Sequence, residues 1–136
     1  MNASVVYYSK TGNTRKIAEA IARAAGCTPC TVGEWDAETV ADVLFIGGSL
    51  YGGKVAPQME QFLRGLDRNK IRRAVLFNTG FSDDSIGVMK GILLNKGIVV
   101  EEESFSSAGR FLLFHMGRPN AKELSEAEAF AKRFLR

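Results

Sequence analysis

The chain has a single histidine, His115, and two cysteines in 136 residues. One histidine excludes a His-based metal cluster and a histidine-dependent triad. One cysteine pair cannot complete a zinc site without two further ligands. Prolines number three, and there is no Pro/Ser-rich linker, tandem repeat or low-complexity tract, so residues 1–136 read as one domain. The apolar runs are too short to span a membrane. Met1-Asn2-Ala3-Ser4 lacks the basic start and apolar stretch of a signal peptide, so a cytoplasmic protein is expected. Charge of one sign is also scarce: the net charge is only +3. The densest basic stretch, RGLDRNKIRR at 64–73, contains no aromatic and falls between a helix and a strand. It reads as a solvated connector, and nucleic acid is not an expected partner.

What is present is apolar and periodic. Hydrophobic residues make up 46% of the chain, enough to build a sizeable core. Strands are expected at 4–8, 30–32, 42–48, 74–80 and 98–105. Helical spacing marks 14–25, 57–66 and 84–97, the last stopped by Gly97. Asn120 and Glu123 have the spacing of a capping box that opens a final helix. The reading is of strands alternating with helices five times, hence a parallel sheet covered on both faces. Ligands of such sheets bind beyond the carboxyl ends of the strands. Three loops leave those ends.

The first loop is SKTGNT, 9–14: three hydroxyls, an amide and a glycine between a strand and a helix. A helix N-terminus favours anions, so the loop suits a phosphate held by neutral donors. The plainer reading is a capped helix start, for which one such residue would suffice. No Gly-Lys-Ser/Thr follows and no G-x-G-x-x-G occurs, which excludes the P-loop and the dinucleotide fingerprint. The second loop, GGSLYGGKVAP (47–57), surrounds Tyr51 with glycines; the third, NTGFSDDS (78–85), carries Phe81. Such loops admit a flat ring system on which an aromatic can stack. Asp83 or Asp84 reads as a cap for the next helix, not as a catalytic acid.

With these motifs in place the sequence resembles a short-chain flavodoxin over nearly its whole length. SKTGNT matches the family's S/T-x-T-G-x-T loop, GGSLYGG its second cofactor loop and NTGFSDD its third; GRPNAKELSEAEAFAKRF (117–134) is similar to its closing helix. The resemblance implies a three-layer α/β sandwich: a five-stranded parallel sheet in the order 2-1-3-4-5 with helices on both faces. It implies non-covalently bound FMN and the role of a small electron carrier between a reductase and an acceptor enzyme. It also implies a monomer or weak dimer with no membrane span. Ser9, Lys10, Thr11, Gly12, Asn13 and Thr14 would bind the phosphate. Ser49, Leu50, Tyr51, Gly52 and Gly53 would line the ring system, and Thr79, Gly80 and Phe81 would cover its other side. No catalytic residue and no metal ligand is implied. An FMN enzyme on the same scaffold, such as a protoporphyrinogen oxidase or a quinone reductase, is the alternative. The family is typically acidic whereas this chain is net basic with Lys54 beside the second loop, which implies a less negative potential for the second reduction step.

Other features are read as structural. Cys27-Thr28-Pro29-Cys30 follows a helix and leads into a strand, the reverse of a thioredoxin-like order. It is expected at the end of the sheet away from the cofactor loops, as two reduced, partly buried thiols. Trp35 is read as a lid on the core edge, His115 as packed or at the surface, and FLLF (111–114) as core.

Overall fold

The computed structural model describes residues 2–9, 12–48, 50–51, 54–79, 84–107 and 120–135. Apolar residues at strand and helix spacing produce β1 (Ala3–Tyr7), α1 (Asn13–Ala25), β2 (Cys30–Thr31) and β3 (Val43–Gly48). There follow β4 (Leu50–Tyr51), β5 (Lys54–Val55), α2 (Pro57–Arg64) and β6 (Arg73–Thr79). The chain continues through α3 (Asp84–Asn95), β7 (Val99–Val100), β8 (Phe105–Ser107) and α4 (Ala121–Lys132). The main sheet runs β2-β1-β3-β6-β7, with β8 also on β6, and every pairing in it is parallel. Because β7 and β8 share one flank of β6, they fill the fifth position of the expected 2-1-3-4-5 order.

Strand alternation sends Val5, Phe45, Val75 and Phe77 to one face, where Ile17 and Ile21 of α1 and Ala127 and Phe130 of α4 cover them. Val6, Leu44, Ile46 and Leu76 go to the other face, against Met59 and Leu63 of α2 and Met89 and Leu93 of α3. The result is the three-layer sandwich.

Local chemistry explains the ends. Gly97, at φ 78, stops α3, with Gly97 N–H donating to Leu94 O and Ile98 N–H to Leu93 O. Asn120 caps α4 through a reciprocal pair: its side chain accepts from Glu123 N–H at 3.0 Å, and Glu123 accepts from Asn120 N–H at 3.2 Å.

Four expectations need correction. The alternation is incomplete: the chain crosses from β2 to β3 through turns at 31–34 and 36–39, without a helix. Trp35 instead packs edge-on against Phe62 of α2, with centroids 5.6 Å apart. The strand expected over 98–105 is broken into β7 and β8, and in the break Glu101, Glu102 and Glu103 pair with Arg73, Lys90 and Arg133. The second loop is not loop throughout: Leu50–Tyr51 pairs antiparallel with Lys54–Val55. Finally, Cys30 pairs with Val6, near the carboxyl end of β1, so Cys30 does not lie at the far end of the sheet, whereas Cys27 follows the C-terminal end of α1. A two-residue β2 joins β1 only late in its length. Cys27 packs against the α1–α4 core and Cys30 against the α2–α3 core. His115 and residues 111–114 lie outside the described residues.

Candidate functional site

Parallel pairing brings the ends of three strands to one edge: Tyr7 stands beside Gly47, Gly47 beside Phe77, and Gly48 beside Asn78. Everything that leaves these ends is therefore adjacent, although the residues lie some 70 positions apart in sequence.

The first loop builds a left-handed turn into a helix. Gly12 has φ 88, a backbone region that a Cβ makes costly. Its N–H donates to Ser9 Oγ at 2.9 Å, so the Ser9 hydroxyl shapes the turn as well as facing the edge. Among the described residues no side chain caps α1, whose N-cap is Gly12, and its first turn holds no acidic residue. The helix thus presents its N-terminal N–H groups and positive dipole end without a carboxylate in competition. Asn13 and Thr14 are buried there.

Thr14 reaches across the edge. Its Oγ1 lies 2.7 Å from Thr79 Oγ1, and both side chains are buried. One hydroxyl donates to the other, so the pair keeps one O–H for a third acceptor. This link fastens the first loop to the end of β6. One residue back, Asn78 Nδ2 donates to Ser85 Oγ at 2.9 Å, fastening β6 to the start of α3. Asn78 and Ser85 are the first and last residues of the third loop read from the sequence; the bond between them is not evident there. The available signal was a polar pair at the end of an apolar strand, where an unpaired amide is costly.

Gly47 serves packing. A Cβ there would lie 2.0 Å from the Phe77 ring, so this glycine makes room for a core aromatic and not for a ligand. Of the other expected site residues, Leu50 and Tyr51 are placed in the hairpin by backbone. Lys10, Thr11, Ser49, Gly52, Gly53, Gly80 and Phe81 lie outside the described residues, as does Asp83.

Among the described residues there is no group of three or more side chains suited to hold a metal ion, and no helix is long and apolar enough to cross a membrane. Burial pushes both the Cys27 and Cys30 thiols up, with the fields of Glu34 and Cys27 adding at Cys30. Glu34 is held below the usual carboxylate range by hydrogen bonds from Thr31.

An open parallel sheet with helices on both faces, and with a helix start and a hydroxyl-bearing turn at its carboxyl edge, belongs to the doubly wound class of α/β proteins, in which that edge suits anionic ligands. The family is narrower. The flavodoxin domain model matches residues 4–111, and the chain belongs to that family, whose cofactor is FMN. Among solved structures it is similar to a flavodoxin from the domain Archaea, with TM-score 0.82, 20% identity and coverage of 99% of this chain and 96% of that one. It is also similar to oxidised flavodoxin 2 from Bacillus cereus, with TM-score 0.76, 17% identity and coverage of 98% and 97%. An NADH:FMN oxidoreductase in its apo form matches with TM-score 0.67, 16% identity and coverage of 100% and 91%. No curated protein sequence matches the chain.

Proposed function

We propose that this chain binds FMN at the carboxyl edge of its sheet and works as a small electron carrier between a reductase and an acceptor enzyme. The observation that carries the reading is the turn from Ser9 into the uncapped start of α1, tied by Thr14 to Thr79. Its donors fit a phosphate in kind: hydroxyls, an amide and backbone N–H groups, with no carboxylate among the described residues of the turn and the first helical turn.

In this reading Ser9, Gly12, Asn13 and Thr14 hold the phosphate, together with Lys10 and Thr11. The α1 dipole offsets part of its charge. Ser49, Leu50, Tyr51, Gly52 and Gly53 lie against the ring system, and Thr79, Gly80 and Phe81 close its other side. FMN supplies the redox chemistry when bound; the chain positions it and sets its surroundings. The Thr14–Thr79 link keeps the phosphate turn and the third loop in fixed relation, so that gripping the phosphate also aligns the ring system.

The test is reduction of the FMN-loaded protein by stepwise dithionite, followed by its visible spectrum. A carrier takes up its electrons in two separate one-electron steps. Uptake in a single two-electron step favours the second reading, an FMN enzyme such as a quinone reductase or a protoporphyrinogen oxidase. The likeness to an NADH:FMN oxidoreductase supports that reading. Failure to bind FMN overturns both.

A further inference from the structure

The helix-free crossing from β2 to β3 leaves part of the sheet edge uncovered. A groove of about 520 Å³ lies there, between the turn after β2 and α2. Tyr8 and Phe62 give it aromatic walls, Val32 adds an apolar side and Gly33 a flat one. Gln58 and Gln61, both exposed, stand with their amides at the rim. Among the described residues no charged side chain lines it, in a chain with 33 charged residues (18 basic and 15 acidic). Ser9 is shared with the phosphate turn, so the groove opens beside the candidate cofactor site. A second cleft of about 380 Å³ shares Tyr8 and Gln58 and extends it toward Lys54.

We propose that this groove is a binding site for a neutral, planar, largely apolar molecule of one or two fused rings bearing carbonyl oxygens, the chemistry of a small quinone. Concave, mostly apolar space of this size with a few polar groups at the rim is the form ligand sites take. Two aromatic walls and a glycine suit a flat ring; two amides suit carbonyl acceptors. The lack of charge among the described lining residues suits a neutral ligand better than an anionic one. The proposal deepens the flavin reading, since a small acceptor held beside Ser9 adjoins the proposed cofactor.

The experiment titrates 2-methyl-1,4-naphthoquinone into the oxidised, FMN-loaded protein and follows backbone and indole resonances by NMR. Saturable shifts are expected at Val32, Gly33, Gln61 and Phe62, and at the Trp35 indole, which packs on Phe62. Gln61→Glu keeps the shape and adds a charge, while Phe62→Ala removes a wall. Each is expected to weaken quinone binding by at least about tenfold while leaving FMN affinity within about twofold. Absence of saturable shifts overturns the proposal, as does binding that both variants leave unchanged. Quinone shifts that appear in the FMN-free chain and vanish when FMN is added also overturn it, because the groove would then be part of the cofactor site. A chain that binds quinone in the groove but no FMN sinks the flavin reading alone.

Discussion

The two edges of the sheet differ in kind. The amino edge holds the charge: a cleft of about 520 Å³ there is lined by Arg68, Lys70, Arg72 and Asp42, with exposed Val40 and Val99. Several cations in this part of the chain are engaged in holding the fold. Lys70 pairs with Glu38 at 3.2 Å, Lys96 donates to Arg64 O at 2.6 Å, and Arg73 donates to both Glu101 and Phe134 O. The carboxyl edge holds hydroxyls, amides and glycines that fasten strands to helices and leave an uncapped helix start. Charge density therefore marks the wrong end of this molecule. A phosphate is better received by convergent neutral donors on fixed backbone than by flexible surface cations that already have partners.

Substitutions should separate the edges, and the largest effect belongs to Gly47. Gly47→Ala drives a Cβ into the Phe77 ring and is expected to cost about 3 kcal/mol or more, read as a lowered denaturant midpoint. Adding Phe77→Leu should restore part of that loss. Thr14→Val is expected to cost about 1.5 kcal/mol, roughly tenfold, in FMN affinity, with Thr79→Val similar. The double variant should fall short of the sum by about 0.5–1 kcal/mol in a calorimetric cycle, because the two hydroxyls share one bond. Asn120→Ala removes the α4 cap and should lower stability by about 1 kcal/mol without altering FMN affinity.

The thiols supply a pH test. Their raised folded-state pKa values mean that the folded chain holds these protons more tightly than the unfolded one. That contribution is fully present below the ordinary thiol pKa of about 8.5 and is lost as pH rises through the folded value. Stability should thus decline from about pH 8.5 upward, and the decline should shrink in Cys27→Ala/Cys30→Ala. Alkylation at neutral pH should be slower in the folded chain than in the unfolded one. Smallest of all, Arg68→Ala and Arg72→Ala should shift stability by less than about 0.5 kcal/mol and leave FMN affinity unchanged.

How much of this was legible in the sequence follows from what each element depends on. Local signals carried far: the Asn120–Glu123 box, the Gly97 stop, Pro57 at the start of α2 and the alternation of Val5, Val6, Phe45 and Ile46 all depend on near neighbours. The passage from strand through glycine turn to helix at 9–14, to which the phosphate is assigned in our proposal, was legible for the same reason, being a run of consecutive residues. Features set by distant partners were not. Gly47 looked like a loop glycine until Phe77 was placed beside it, 30 residues away in sequence. Cys30 was assigned to the wrong end because register is fixed by pairing with Val6 and not by strand order alone. The β4–β5 hairpin had a usable signal, Leu-Tyr-Gly-Gly-Lys-Val, with two glycines between short pairable runs. The groove by Tyr8 and Phe62 had none, since it arises from the helix that the β2–β3 crossing lacks.

The most direct measurement is the affinity of the purified chain for FMN compared with riboflavin, by calorimetry, in the unmodified protein and in Thr14→Val. The account predicts one-to-one binding of FMN, much weaker binding of riboflavin, which has no phosphate, and loss of most of that difference in Thr14→Val. Equal affinity for the two flavins, or a difference that Thr14→Val leaves intact, would contradict the claim that the turn from Ser9 to Thr14 holds the phosphate.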